Sequence, residues 1–304
     1  MSFRFYTSVE RFGNNILWRG YKNGKAFSKR VKYQPKLYTT TKKETKFKSL
    51  IGGKYLEPRM FDDMSSARDF VERYKDVHGI DIFGNTNYVS AFIQEEYPGS
   101  IEYDASLINI VMFDIEYDTT TGYTTTDEAD KPINSIAYKS SKSDTYHLLT
   151  LKDYDKTKTI TGIDPEKILH MSFEEEKDLL RRFMQIWTND YPDIVTGWNV
   201  EYFDIMYIIT RIIKLFGEEK AKQLSPWGNI KKNSREFFLK MQSTYSISDI
   251  SIIDYMDAFK KFGYKYGPQE SYKLDHIAHV VLGEKKLDYS EYGSLSELYI
   301  QNPQ

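Results

Sequence analysis

The sequence predicts an α/β chain in two parts: a small α+β unit over residues 1–107, then a larger domain over 108–304 built around a central strand. Three observations carry this. Residues 3–10 and 15–20 alternate apolar and polar side chains in the strand manner, with Asn23-Gly24 as a hairpin turn. Leu107-Ile-Asn-Ile-Val-Met-Phe113 is a nearly continuous apolar run, the pattern of a central strand buried on both faces. Beyond it, two helix-like patterns flank a short apolar strand at Ile194-Val-Thr-Gly197.

In order along the chain, Asn14-Asn15 and Asn23-Gly24 supply turns, and residues 65–78 read as an amphipathic helix with Ser65 or Ser66 as its cap and Gly79 just past its end. After the central strand, a Thr/Gly-rich loop over 118–126 leads to candidate strands Ile133–Tyr138 and Tyr146–Leu151, close enough to be antiparallel neighbours. Ser172-Phe-Glu-Glu175 has the form of a capping box opening a helix through about Trp187. The apolar stripe of that helix is Leu179, Leu180, Phe183, Ile186 and Trp187. A helix from Asp204 to Phe216, stopped by Gly217, closes the series. Three strands followed by helix, strand and helix is the order expected of a ribonuclease-H-like sheet.

Composition bounds the chemistry. With no cysteine there is no disulfide, thiolate nucleophile or Cys-ligated zinc. The start, Met1-Ser-Phe-Arg-Phe-Tyr6, lacks the apolar segment of a secretion signal. The best apolar stretch, Ile205 to Phe216, is broken by Arg211 and Lys214, so a cytoplasmic protein with no membrane association is expected. Charge is unevenly placed: residues 19–59 hold thirteen Lys/Arg against Glu44 and Glu57, whereas 102–130 hold eight acids and no Lys or Arg. Such blocks suit a protein that attracts phosphate with one surface and collects metal with another, and equally describe two solvated loops of opposite sign.

Asp114-Ile-Glu116 is the sharpest local feature. Residues two apart on a strand share a face, so both carboxylates emerge together at the strand end. Side by side they repel unless a cation lies between them, and Mg²⁺ or Mn²⁺ takes such oxygen ligands while keeping room for phosphate. Alone, D-x-E usually marks a surface strand end. In Thr196-Gly-Trp-Asn-Val-Glu-Tyr-Phe-Asp204, a strand runs through a Gly turn into a helix whose first turn carries an acid. Alone, Asp204 would merely complement the helix N-terminus. Together, three carboxylates from a strand and a helix start could hold two metals about 4 Å apart.

Phe113-Asp-Ile-Glu116 resembles the first exonuclease motif of family-B DNA polymerases, and Gly197-Trp-Asn-Val-Glu-Tyr-Phe-Asp204 resembles the second, most nearly as found in T-even-like bacteriophages. Supporting stretches are Val31-Lys-Tyr-Gln-Pro35, Phe216-Gly-Glu with Leu224-Ser-Pro226, Ser251 to Phe262, Ser271 to Ala278, and Leu282-Gly-Glu-Lys-Lys286. The resemblance implies a proofreading 3′→5′ exonuclease in which Asp114 and Glu116 bind two Mg²⁺ or Mn²⁺ ions and Asp204 completes the second site. It implies that Asn199 contacts the frayed 3′ end, that Phe203 packs against the terminal nucleotide and that Tyr123 stacks on a base. It further implies a β-hairpin at roughly 233–249 that helps part primer from template. Asp254 matches no catalytic motif and reads as structural. The family's third motif, Tyr-x-x-x-Asp, is expected beyond Gln304, since Tyr272, Tyr289, Tyr292 and Tyr299 are followed four places on by His276, Gly293, Ser296 and Pro303. Polymerase motifs are absent, so the chain reads as cut short or as half of a split enzyme.

Three readings of function follow. The first is hydrolysis of the single-stranded 3′ end of primer-template DNA. The second is a nucleic-acid-binding and assembly piece, catalytically incomplete until a C-terminal polymerase domain or polypeptide joins it. The third is RNA binding through Lys42, Lys43, Lys46 and Lys48, suggested by the basic block and by translational self-control in some relatives.

Overall fold

The computed structural model, which describes residues 3–153, 155, 162–237, 240–285, 290–293 and 295–301, divides into two units, Met1–Ala105 and Ser106–Gln304. Residues 238–239 of the expected hairpin, Lys286 and Tyr289 lie outside the described residues.

In the first unit, β1 (Arg4–Phe12), β2 (Asn15–Lys22) and β3 (Lys25–Lys32) form an antiparallel meander. The first turn is Gly13-Asn14 rather than Asn14-Asn15: Phe12 pairs with Asn15, and Gly13 takes φ 60°, which a type II′ turn reserves for glycine. Asn23 and Gly24 both have positive φ, 51° and 77°, as a type I′ turn demands. A second sheet runs β5 (Phe47–Lys48), β6 (Tyr55–Met60), β4 (Lys36–Thr40), β7 (Ile82–Phe83). Helix α1 spans Met64–Tyr74 and α2 spans Tyr88–Glu96. The cap of α1 is Asp63, not Ser65 or Ser66: its carboxylate accepts the Ser66 amide at 2.8 Å and the Ser66 hydroxyl at 2.7 Å. An anion one residue before the helix satisfies an orphan N–H and complements the dipole, which a serine hydroxyl does less well. Ile16, Trp18, Tyr33, Leu37, Met64 and Phe92 form this unit's core.

The second unit is built on a six-stranded mixed sheet of β8 (Ile110–Tyr117), β9 (Ile133–Ser140), β10 (Tyr146–Thr150), β11 (Ile168–Ser172), β12 (Ile194–Gly197) and β15 (Ser251–Asp254), in the order β11-β10-β9-β8-β12-β15. β9 runs antiparallel to β8 and β10, while β12 is parallel to both β8 and β15. Ser172 does not open a capping box. It ends β11, which pairs in parallel with β10, and the helix that follows, α3 (Glu176–Asn189), starts after Glu175 with no side-chain cap bond.

Helix α3 packs on β9 and β10, and α4 (Asp204–Phe216) on β8. Leu179, Leu180, Phe183 and Trp187 are buried on α3 as its stripe predicts, and Ile186 packs at the edge of the same core. Phe183 lies 5.6 Å from Trp187 and 5.9 Å from Phe113, and the Trp187 indole N–H donates to the Leu224 carbonyl at 2.8 Å. A bidentate ion pair joins the two helices: Arg211 donates to Glu176 at 2.8 and 2.6 Å, and Glu176 also accepts the Ile133 amide at 2.8 Å.

β8 departs from expectation in one respect. Val111, Phe113 and Ile115 are buried, whereas Met112, Asp114 and Glu116 are exposed, so the strand is central in the sheet but covered on one face only. The apolar run hid an ordinary two-residue alternation because Met112, 47% exposed, stands on the open side.

The remaining elements are α5 (Glu218–Ala221), a hairpin of β13 (Ile230–Phe237) and β14 (Lys240–Ile247), and helices α6 (Tyr255–Phe262), α7 (Leu274–Leu282) and α8 (Leu295–Gln301). Among the described residues, no helix is long and apolar enough to cross a membrane.

Candidate active site

Two strands of unequal length create the site. β12 pairs with β8 only from Ile194 opposite Ile110 to Thr196 opposite Met112, then stops at Gly197. Beyond that point, among the described residues, the β8 edge has no strand beside it. The close approach favours glycine, since a Cβ at position 197 would lie 3.1 Å from the Phe113 carbonyl oxygen and 3.0 Å from Val200 Cβ.

From Gly197 the chain turns through Trp198 and Asn199, the latter at φ 61° in the left-handed region that asparagine tolerates better than most residues. The Asp254 carboxylate holds this turn. It accepts the Asn199 amide at 3.1 Å and the Glu201 amide at 3.1 Å, and caps α6 by accepting the Met256 amide at 2.9 Å. Asp254 is buried at the end of β15, so three backbone donors surround one carboxylate and its expected structural role is realised.

Asp204 begins α4 and is 2% exposed. Its Oδ1 accepts the Ile115 amide at 3.0 Å, occupying the edge position that a longer β12 would have taken. Burial, followed by the Asp114 and Glu116 charges, pushes its carboxyl up to about 8, against the opposing pull of the Ile115 hydrogen bond. The three sequence-predicted carboxylates are therefore electrostatically one group: Asp114 and Glu116 on the open face of β8, Asp204 beneath them. A carboxyl that resists ionisation because of neighbouring anions gains from any cation placed among them, and an all-oxygen donor set suits a hard divalent ion. Among the described residues no three His, Asp or Glu side chains converge closely enough to hold an ion as they stand.

Asn199 lies in the turn between β12 and α4, and Phe203 immediately precedes Asp204. Phe203 is half-buried, its ring 5.9 Å from Tyr117 and 6.1 Å from Tyr207, with Tyr117 and Tyr207 stacked at 4.7 Å. Tyr123, 86% exposed after Gly122, stands out in the 118–132 loop. That loop is fastened to α4 by the Tyr207 hydroxyl to the Lys131 carbonyl (2.7 Å), Arg211 to the Ala129 carbonyl (3.2 Å) and Lys214 to the Glu128 carbonyl (2.7 Å). The expected hairpin is present as β13 and β14, Ile230 opposite Ile247, and its Lys232 pairs with Asp127 of the loop at 2.5 Å. Tyr117 was not singled out by its sequence. Its place two residues past Ile115, at the end of a strand followed by a Thr/Gly-rich loop, is the signal that could have found it.

The model of the DNA polymerase family B exonuclease domain matches residues 92–277. Over 99% of its length the chain is similar to the DNA-directed DNA polymerases of Enterobacteria phage T4 and Escherichia phage RB69, at 31% identity to each, and it spans 35% of the length of either. A shorter stretch, 43% of the chain, is 28% identical to the DNA polymerase catalytic subunit of Saimiriine herpesvirus 2, covering 13% of that protein.

Proposed function

This chain belongs to the family-B DNA polymerases through their exonuclease domain, and from that premise we propose that it removes nucleotides from the 3′ end of single-stranded DNA in a proofreading role. The observation that carries the proposal is the buried Asp204 beneath exposed Asp114 and Glu116, its carboxyl raised to about 8 by burial and by their charge. A ribonuclease-H-like fold is part of the same reading. It is supported by the antiparallel run β10-β9-β8 with β12 and β15 parallel to β8 on its other side.

Asp114, Glu116 and Asp204 would hold two Mg²⁺ or Mn²⁺ ions, which when bound supply an activated water and positive charge at the departing 3′ oxygen. The chain's own residues do the rest. Asp114 and Glu116 present oxygens from the open face, where a phosphodiester can approach. Asp204 is fixed by the Ile115 main-chain donor on the β8 edge, which sets the position of its carboxylate. Asn199, locked by Asp254, faces the frayed end, and Phe203, backed by Tyr117 and Tyr207, offers its ring to the terminal nucleotide. Tyr123 stacks on a base when DNA enters. Action in the host cell cytoplasm, as for a phage polymerase, completes the reading.

The test is release of mononucleotides from a 5′-labelled single strand with Mg²⁺ or Mn²⁺. Asp114→Ala and Asp204→Ala should each reduce the rate about 100-fold or more; robust cleavage in both variants would overturn the assignment. A second reading, an assembly piece that gains activity only with a C-terminal polymerase part, is favoured by one fact: the matched relatives are far longer than the stretch this chain covers. Its signature is negligible cleavage alone and recovery when that part is added.

A further inference from the structure

Away from the carboxylates, an apolar groove of about 510 Å³ opens between α6 and α7, lined by Trp198, Phe259, Phe262, Ile277, Val281 and Leu282 among others. Its floor is aromatic: Phe259 stacks on Tyr266 at 5.7 Å and lies 6.2 Å from Trp198. Its mouth is wet, with Phe262 64% and Leu282 72% exposed. Two large apolar side chains, one ending each helix, thus stand in water around a cavity that water fills poorly.

We propose that this groove seats an amphipathic helix from the polymerase part of the enzyme, a docking site that rests on the family reading above. The occupant follows from three observations. Phe259 and Phe262 are three apart on α6, while Ile277 and Val281, and Ala278 and Leu282, are four apart on α7. The lining therefore forms ridges along two helices, the surface into which a third helix packs. Lys261 and Lys265 edge the groove, their ammonium groups 5.2 Å over Phe262 and 4.7 Å over Tyr266, while Lys260 is paired with Asp257 at 3.1 Å. The visiting helix accordingly carries an apolar stripe flanked by acidic residues. Lastly, the chain covers 35% of the phage T4 and RB69 polymerases, so relatives of this length hold ample further chain to supply such a helix.

The test titrates the full chain into fluorescein-labelled peptides of roughly 25 residues, long enough for several helical turns. The peptides tile the part of the phage T4 polymerase that this chain does not cover, and anisotropy reads binding. One peptide, or an overlapping pair, should bind in preference, with an apolar stripe and acidic flanks. Phe262→Glu combined with Leu282→Glu should weaken it about tenfold or more. Both residues are exposed, so circular dichroism and melting should match the parent, and nuclease activity on single-stranded DNA should not change. Failure of the family reading would show in that nuclease assay, and failure of the docking site in the anisotropy. No preferred peptide, or binding undiminished by the double substitution, would overturn the proposal. Sedimentation showing a dimer that the same substitutions dissolve would overturn it as well, by making a second copy the occupant.

Discussion

The Asp204 carboxylate accepts the Ile115 amide at 3.0 Å, on the stretch of β8 edge that β12 vacates when it ends at Gly197. One hydrogen bond thereby satisfies a strand donor and sets the position of a buried acid at the start of α4.

The raised carboxyl of Asp204 makes metal-free stability depend on pH. From an ordinary value near 3.8 it rises to about 8 in the folded protein. Between those values the folded state binds more protons than the unfolded, so stability falls as pH climbs from about 4 to about 8. Melting in chelator should decline over that window. Asp204→Asn should flatten the decline and raise the melting temperature at pH 8, by roughly 2–4 °C for each kcal/mol of strain relieved. A steeper decline in the variant would show that another group is responsible.

Adding Mg²⁺ or Mn²⁺ should reverse that decline. A cation among Asp114, Glu116 and Asp204 replaces the proton that Asp204 otherwise needs, so the metal-dependent gain in melting temperature should grow with pH and vanish in Asp114→Ala. An equal gain in parent and variant would place binding elsewhere.

Asp254→Ala should be among the most damaging single changes outside the carboxylates. It strips the acceptor from the Asn199, Glu201 and Met256 amides at once. Buried donors left unpaired cost about 1–3 kcal/mol each, so a loss of roughly 3 kcal/mol or more in urea unfolding is expected. Nuclease activity should drop with it, because the Asn199 amide, in a residue held at positive φ, loses its acceptor.

Gly197→Ala forces a methyl to within 3.1 Å of the Phe113 carbonyl oxygen. β12 and the turn must shift away from β8, at about 1–3 kcal/mol. Activity should fall further than stability alone explains, which a measurement well below the melting temperature would reveal.

Removing Arg211 should strand Glu176, which is 10% exposed and, among the described residues, keeps the Ile133 amide as donor. Arg211→Met should cost about 3–5 kcal/mol, and pairing it with Glu176→Gln should recover part of that. The Ala129 carbonyl is released too, so limited proteolysis should accelerate within the 118–132 loop.

What the sequence makes legible is what local chemistry decides. β12 and α4 were expected where they lie because Gly197 and Gly217 bracket them, and the Asp114–Glu116 alternation places both acids on one face. Two misreadings are local, the cap of α1 at Asp63 rather than Ser65 or Ser66 and the first turn at Gly13-Asn14, but the larger ones involve partners distant in sequence. Ser172-Phe-Glu-Glu175 has every local mark of a capping box, yet parallel pairing of Ile168–Ser172 with β10 takes the serine into a strand. The burial of β8 on one face reflects which side α3 and α4 cover, which no single strand records. The Asp254 clamp joins residues 53 and 55 positions apart.

The main-chain identity of Asp204's donor has a consequence for variation. Side-chain replacement at position 115 leaves the N–H in place, so only proline would delete the bond. The other points of the site, Asp114 and Glu116, are exposed to every substitution at their own codons. Drift at position 115 therefore tests packing and nothing else, and the buried acid keeps its address while its neighbours change.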